Sequence, residues 1–178
     1  MTSTSGYILV GLLAVTCSAL AESAKVERAQ SAAHSDLSQK ATILDMDGSV
    51  LQSGNEYWHC YPGVPVIPGD QHPMCVDSVW SQLLSAAAKG EPFETDRIGI
   101  SYMMQGDAYV SNSNPAATDP NNGDVWVKEG PHLMIVVPKA LLKGISDDPF
   151  NGGPYVMWKD TPYAHIMVPV ANKAPEGD

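Results

Sequence analysis

The stretch of sequence that decides the fold is GPHLMIVVP at residues 130–138, together with PYAHIMVPV at residues 162–170. Both stretches are short, rich in branched apolar residues and bounded by Gly or Pro, a pattern typical of β-strands. Successive side chains of a strand point to opposite faces. Each stretch therefore has one branched face, predicted to face the core, and one face with a histidine and a methionine two positions apart. The branched faces consist of Leu133, Ile135, Val137, Ile166, Val168 and Val170.

The histidine–methionine pairs predict a binding site for a soft metal ion. His132 with Met134, and His165 with Met167, lie on the faces opposite the branched residues. If the two strands are neighbours, these four side chains form one cluster of imidazole and thioether groups. That donor set suits copper, and Cu(I) in particular, better than zinc or magnesium, so copper is the cofactor that the sequence favours. Further sulfur is available from three other methionines, Met103, Met104 and Met157.

A ligand-binding or assembly module without a metal is an alternative function. Methionine is a common core residue, and a strand histidine is usually held by hydrogen bonds, so the same four residues also fit a purely structural role. Such a module would bind through exposed aromatic side chains. The candidates are Trp58, Tyr61, Trp126 and Trp158.

A histidine-dependent hydrolase is a second alternative. His132 or His165 would act as the general base, and a neighbouring side chain would orient it. The candidate orienting residues are Asp107, Asp160 and Tyr163. The sequence contains no Gly-x-Ser-x-Gly, no His-Glu-x-x-His and no glycine-rich phosphate loop, which favours a role other than catalysis.

The overall composition predicts one α+β domain. A chain of 178 residues is long enough to bury a sizeable core, and its 15 glycines and 14 prolines indicate short elements joined by long, structured loops. The formal net charge of −10 argues against nucleic-acid binding and against attraction to anionic lipid, both of which need a basic surface. A metal ion, a small ligand or a protein partner is compatible with it.

The N-terminal region predicts export to the periplasm or beyond. Residues 7–21 form an apolar run that ends in Ser-Ala-Leu-Ala, so residues 1–21 are interpreted as a cleaved signal peptide. The run is shorter than the roughly 20 apolar residues that span a bilayer, so no membrane attachment is expected after cleavage. A retained anchor and a lipoprotein at Cys17 are the alternatives. Residues 22–40 lack an apolar stripe and are predicted to be a flexible lead-in to a globular domain at residues 41–178.

Two cysteines remain in the predicted mature chain. An even pair in an exported protein is typical of a disulfide, so Cys60 and Cys75 are predicted to be bonded to each other. The alternative is a zinc site in which His59 and His72 join the two cysteines, but the close Cys-x-x-Cys spacing of such sites is missing.

One helix and one hairpin carry clear local signals. Residues 77–90 are predicted to form the principal helix, because Asp77 can cap its first turn and Gly90 can end it. The segment Asp45-Met46-Asp47-Gly48 resembles the first motif of the haloacid-dehalogenase phosphatases. However, Asp-Gly between two apolar runs is also a strong signal for a β-hairpin. The hairpin is favoured, and the whole pattern predicts a mainly antiparallel sheet or small sandwich.

Several short segments of the sequence resemble a group of exported bacterial proteins of unassigned function. They are PMC at residues 73–75, YMMQGD at 102–107, GPH at 130–132, GPYVMW at 153–158 and TPYAH at 161–165. The likeness extends from about residue 41 to residue 170. The resemblance implies a bacterial protein located in the periplasm, and it supplies no catalytic residues.

Overall fold

The computed structural model describes residues 10–67 and 69–172, with side chains from residue 19 onward. Residues 1–9 of the predicted signal peptide and 173–178 of the predicted domain lie outside the described residues. The helices are α1 (Val10–Gln30), α2 (Ser35–Ser38) and α3 (Ser78–Lys89), with a 3₁₀ turn at Lys139–Leu142. The strands are β1 (Ala41–Leu44), β2 (Val50–Gln52), β3 (Asn55–Tyr61), β4 (Met74–Asp77), β5 (Gly99–Met103), β6 (Tyr109–Ser111), β7 (Trp126–Lys128), β8 (His132–Val136), β9 (Tyr155–Met157) and β10 (His165–Pro169).

Eight of these strands form one sheet in the order β2-β1-β3-β4-β5-β8-β10-β9, and β6 pairs with β7 in a separate ribbon. All pairs in the large sheet are antiparallel except β1 with β3. The predicted α+β fold with a mainly antiparallel sheet is therefore confirmed. Within the described residues, no helix is long and apolar enough to cross a membrane.

The hairpin predicted at the Asp-Gly word joins β1 to β2. Gly48 has φ +84°, a left-handed conformation that glycine adopts without strain, and its N–H donates to the Asp45 carbonyl at 2.9 Å. Asp47 Oδ1 accepts hydrogen bonds from the backbone N–H and the hydroxyl of Ser49. Both aspartates of this segment therefore accept hydrogen bonds that stabilise the turn, as expected for a β-hairpin.

The predicted helix is α3, and both of its ends follow the sequence signals. Asp77 Oδ1 accepts from the N–H groups of Val79 and Trp80 at 2.9 Å, and Gly90 adopts φ +67° at the C-terminal end. The buried side of the helix consists of Val79, Trp80, Leu83 and Leu84. This side packs on the sheet face that carries Met74, Met103 and Met134, so α3 is the main cover of that face.

Replacing the capping aspartate is expected to destabilise the fold. Asp77 also accepts from Ile100 N–H through Oδ2 at 2.8 Å, which ties the start of α3 to β5. We expect Asp77→Ala to lower the free energy of unfolding by about 2 kcal/mol, the upper end of the range for helix caps, as measured by urea unfolding. Asp77→Asn keeps one acceptor oxygen, so its stability should lie between those of the wild-type protein and Asp77→Ala. A loss under about 0.5 kcal/mol for Asp77→Ala would contradict the role of Asp77 as the helix cap.

The predicted core faces of the two defining strands are reversed. In β8 the buried residues are His132, Met134 and Val136, whereas Leu133 and Ile135 are only partly buried. Likewise β10 buries its histidine and methionine and leaves its branched residues partly exposed. The reason is that alternation decides which residues share a face but not which face a helix covers, and α3 covers the histidine–methionine face.

The segment predicted to be a flexible lead-in, residues 22–40, is instead ordered and packed. It contains the end of α1 and all of α2, and its small side chains bury themselves against the opposite face of the sheet. Ala29 and Ala32 are fully buried there, near Cys60 and Cys75. Alanines allow a helix to approach a sheet closely, so this segment buries its inner side without the long apolar stripe that would have revealed it in the sequence.

Candidate ligand and metal site

The two histidine–methionine strands are neighbours, as the metal prediction requires. β8 and β10 run antiparallel, with Met134 directly opposite Met167 and His132 opposite Pro169. All four predicted ligands lie on the face beneath α3 and are buried. The register nevertheless separates the histidines by four residues along the strands, about 13 Å, so they lie on opposite sides of the methionine pair. The methionine pair is therefore shared, and each histidine has its own surroundings.

Both histidines have the same hydrogen-bonding pattern. Nδ1 of His132 lies 2.7 Å from the Gly130 carbonyl, and Nδ1 of His165 lies 2.9 Å from the Tyr163 carbonyl. A carbonyl oxygen only accepts, so each Nδ1 carries the proton, and in a neutral ring Nε2 then holds a lone pair. Each Nε2 is buried and has no hydrogen-bond partner among the described residues. An unpaired buried acceptor costs free energy, so two of them on one face call for a ligand or an ordered water.

The surroundings of His132 are rich in sulfur and lie beside a carboxyl group. Met103 on β5 is its direct cross-strand partner, Met134 is two positions along its own strand, and Met167 lies diagonally across β10. Asp107 is close enough to interact electrostatically with His132. Burial raises the pKa of Asp107, and the neighbouring His132 opposes that shift.

The surroundings of His165 are aromatic. Its ring centroid lies 5.2 Å from Trp80 and 5.1 Å from Trp158, both in edge-on geometry, and Met157 on β9 is its direct cross-strand partner. Burial lowers the pKa of His165 to about 4, although the hydrogen bond to the Tyr163 carbonyl opposes this, so the ring is neutral at pH 7. Trp158 is held with φ +54°, and its indole N–H donates to the Ser111 carbonyl at 2.9 Å.

A cavity of about 380 Å³, which we call the methionine cavity, lies between this sheet face and α3. Its walls are largely apolar, and they include Met74, Met103, Met134, Met157, Trp80, Leu83, Leu84, Val64, Ile67 and Trp158. Two titratable side chains with perturbed pKa values, His165 and Asp107, also line it. Of the four predicted metal ligands, His165 and Met134 line the cavity, while His132 and Met167 lie outside its lining.

Two polar residues near this face were missed by sequence reasoning. Tyr155 donates its hydroxyl hydrogen to Glu129 Oε1 at 2.8 Å, and both side chains are fully buried. Burial, together with Glu129, raises the pKa of Tyr155. The sequence does not reveal that Glu129 is buried, because its partner Tyr155 lies 26 residues away along the chain. The two residues meet only because β9, which carries Tyr155, packs beside β10.

The residues predicted to orient a catalytic histidine do so only in part. His165 is oriented by the backbone carbonyl of Tyr163, whose hydroxyl instead donates to the Glu91 carbonyl at 2.9 Å. Asp160 lines a different surface pocket, away from the methionine cavity. Only Asp107 is placed to influence one of the histidines electrostatically.

The aromatic residues predicted to be exposed are all partly buried. Trp58 packs edge-on against Tyr102 at 5.6 Å, and Trp158 packs against His165. Tyr61 and Trp126 are likewise only partly accessible. All four side chains thus gain packing contacts and keep part of their surface accessible, and the binding role stays a prediction.

The disulfide prediction is confirmed. Cys60 and Cys75 are bonded, with Cα atoms 4.0 Å apart, and they occupy directly opposed positions on β3 and β4. The predicted zinc alternative is thereby removed, since the two thiols are consumed. Its histidines have other partners: His59 Nδ1 lies 3.3 Å from Ser81 Oγ, and His72 Nδ1 lies 3.0 Å from Asp70 Oδ2.

Comparison with known proteins adds no precedent for this site. No protein-family model, no curated protein sequence and no solved structure matches the chain. Within the described part of the chain, no group of three or more His, Cys, Asp and Glu side chains is placed to hold a metal ion.

Proposed function

We propose that this protein is exported and binds Cu(I) on the sheet face beneath α3. The observation that carries the proposal is the buried Nε2 of His132, which has no partner among the described residues, on a face where three methionines lie around His132. Met103 is opposite it on β5, Met134 is two positions along its strand, and Met167 is diagonal to it on β10. Imidazole nitrogen and thioether sulfur together are donors that Cu(I) prefers. Export is supported by the Cys60–Cys75 disulfide, which is typical of oxidising compartments, and by the apolar N-terminal run.

The proposed donors are His132 Nε2 and the sulfur atoms of Met134 and Met167, with Met103 as a further neighbour. Three of the four ligands predicted from the sequence are kept. His165 is left out because the register places it about 13 Å along the strands from His132, between two indole rings. Met103, Met134 and Asp107 also line the methionine cavity, so the cavity borders the proposed site, and the Asp107 carboxylate can offset the charge of the ion.

Removing the paired sulfur atoms tests the proposal. We expect Met134→Leu/Met167→Leu to weaken Cu(I) binding at least tenfold, equivalent to about 1.4 kcal/mol, in anaerobic competition titrations with a Cu(I) chelator. Leucine keeps the apolar volume, so the free energy of urea unfolding should change by less than about 1.5 kcal/mol.

Two matched variants serve as controls for that result. Met157→Leu removes an equally buried sulfur beside His165, and it should leave the Cu(I) affinity unchanged. His132→Gln should abolish high-affinity binding, whereas His165→Gln should not. Unchanged affinity in the Met134/Met167 double variant would contradict the proposal, and loss of binding only in the His165 and Met157 variants would place the ion elsewhere.

A further inference from the structure

The methionine cavity has a feature that Cu(I) binding at His132 does not use. His165 lines the cavity, its Nδ1 is committed to the Tyr163 carbonyl, and its Nε2 has no hydrogen-bond partner among the described residues. The ring is only 1 % exposed and is held edge-on between Trp80 and Trp158, which also line the cavity. The largely apolar lining of the cavity thus includes one histidine whose buried Nε2 is an acceptor without a partner among the described residues.

We propose that the methionine cavity binds a small, uncharged and mainly apolar molecule that donates one hydrogen bond to Nε2 of His165. This inference goes beyond Cu(I) binding and does not depend on it, because it uses the other histidine. It gives the unpaired Nε2 a partner, which buried polar groups in native proteins almost always have.

The size of the cavity limits the size of the ligand. An apolar cavity of about 150 Å³ holds one benzene molecule, so about 380 Å³ corresponds to roughly ten to fifteen non-hydrogen atoms. That is a bicyclic aromatic alcohol or a branched alcohol of similar volume. The volume also lies within the range of about 300–1,000 Å³ that is usual for small-molecule sites.

The character of the wall determines the polarity of the ligand. Methionine side chains are flexible and polarisable, so Met74, Met103, Met134 and Met157 can adapt to an aromatic or branched surface. Transfer of an unpaired carboxylate into such a wall costs several kcal/mol, which excludes anionic ligands. The neutral His165 ring needs a donor rather than an anion, because its free nitrogen is an acceptor.

Three naphthalene derivatives of nearly equal volume test this inference on the full-length, oxidised protein, without added metal and in the presence of a chelator. We expect 2-naphthol, which has a donor, to bind about tenfold more tightly than 2-methoxynaphthalene, which lacks one. We expect 2-naphthoate, which is charged, to show no binding. Isothermal titration calorimetry and quenching of the fluorescence of Trp80 and Trp158 provide the affinities.

Two pairs of variants localise the site. Ala87 on α3 lines the cavity, so Ala87→Phe should fill part of it and weaken 2-naphthol at least tenfold, whereas Ala88→Phe on the exposed side of the same helix should have no effect. His165→Phe should make 2-naphthol and 2-methoxynaphthalene bind equally, and His132→Gln should leave the preference intact. Failure of wild-type protein to bind 2-naphthol, equal affinity for the two neutral probes, or unchanged binding in Ala87→Phe would overturn the inference, whatever the outcome of the Cu(I) titrations.

Discussion

Removing the disulfide is expected to lower the free energy of unfolding by about 3 kcal/mol, as the chain-entropy model gives for a loop of this size. The bond joins residues separated by 15 positions, and it links two neighbouring strands of the central sheet. In Cys60→Ala/Cys75→Ala, the unfolded chain regains the conformational freedom that the crosslink takes from it. Urea unfolding of the variant and of the oxidised wild-type protein measures the difference.

Reduction provides the control for this prediction. A strong reductant should shift the unfolding midpoint of the wild-type protein towards that of the double variant, and it should leave the double variant unchanged. Both cysteines are fully buried, so the native bond should resist reduction until the protein opens. A double variant as stable as the oxidised wild-type protein would contradict the prediction.

Acidification from pH 7 to pH 4 is expected to remove up to about 3 kcal/mol of stability through His165 alone. The folded-state pKa of His165 is lowered to about 4, against an ordinary value of 6.5. Between these two values the unfolded chain takes up a proton that the folded protein does not. The stability is therefore fully present above pH 6.5, and it is lost as the pH falls towards 4.

A variant without the titrating ring isolates this contribution. His165→Phe keeps an aromatic ring between the two indoles but takes up no proton, so its loss of stability from pH 7 to pH 4 should be smaller than that of the wild-type protein. Asp107, whose pKa is raised by burial, contributes with the opposite sign in both proteins and cancels from the difference. Parallel stability curves for the two proteins, measured by urea unfolding at each pH, would contradict the assignment.

Local signals predicted several elements correctly. The caps of α3 depend on Asp77 and Gly90 alone, and the turn at Gly48 depends on five consecutive residues, 45–49. These features involve contacts between residues close in the chain, so composition and spacing are enough to predict them. The ordered segment at residues 22–40 was missed because alanine carries a weak hydrophobic signal, although a helix needs only small side chains to approach a sheet closely.

Some features of the candidate site likewise follow from the sequence, and others follow only from the tertiary structure. The sequence alone determined that each defining strand places a histidine and a methionine on one face, because side chains alternate along any strand. Only the tertiary structure decided that α3 covers that face, that the register separates His132 from His165, and that a cavity remains beside His165. These outcomes arise from packing between elements far apart in the chain, and packing depends on the combined shape of many side chains rather than on the pattern of any one segment.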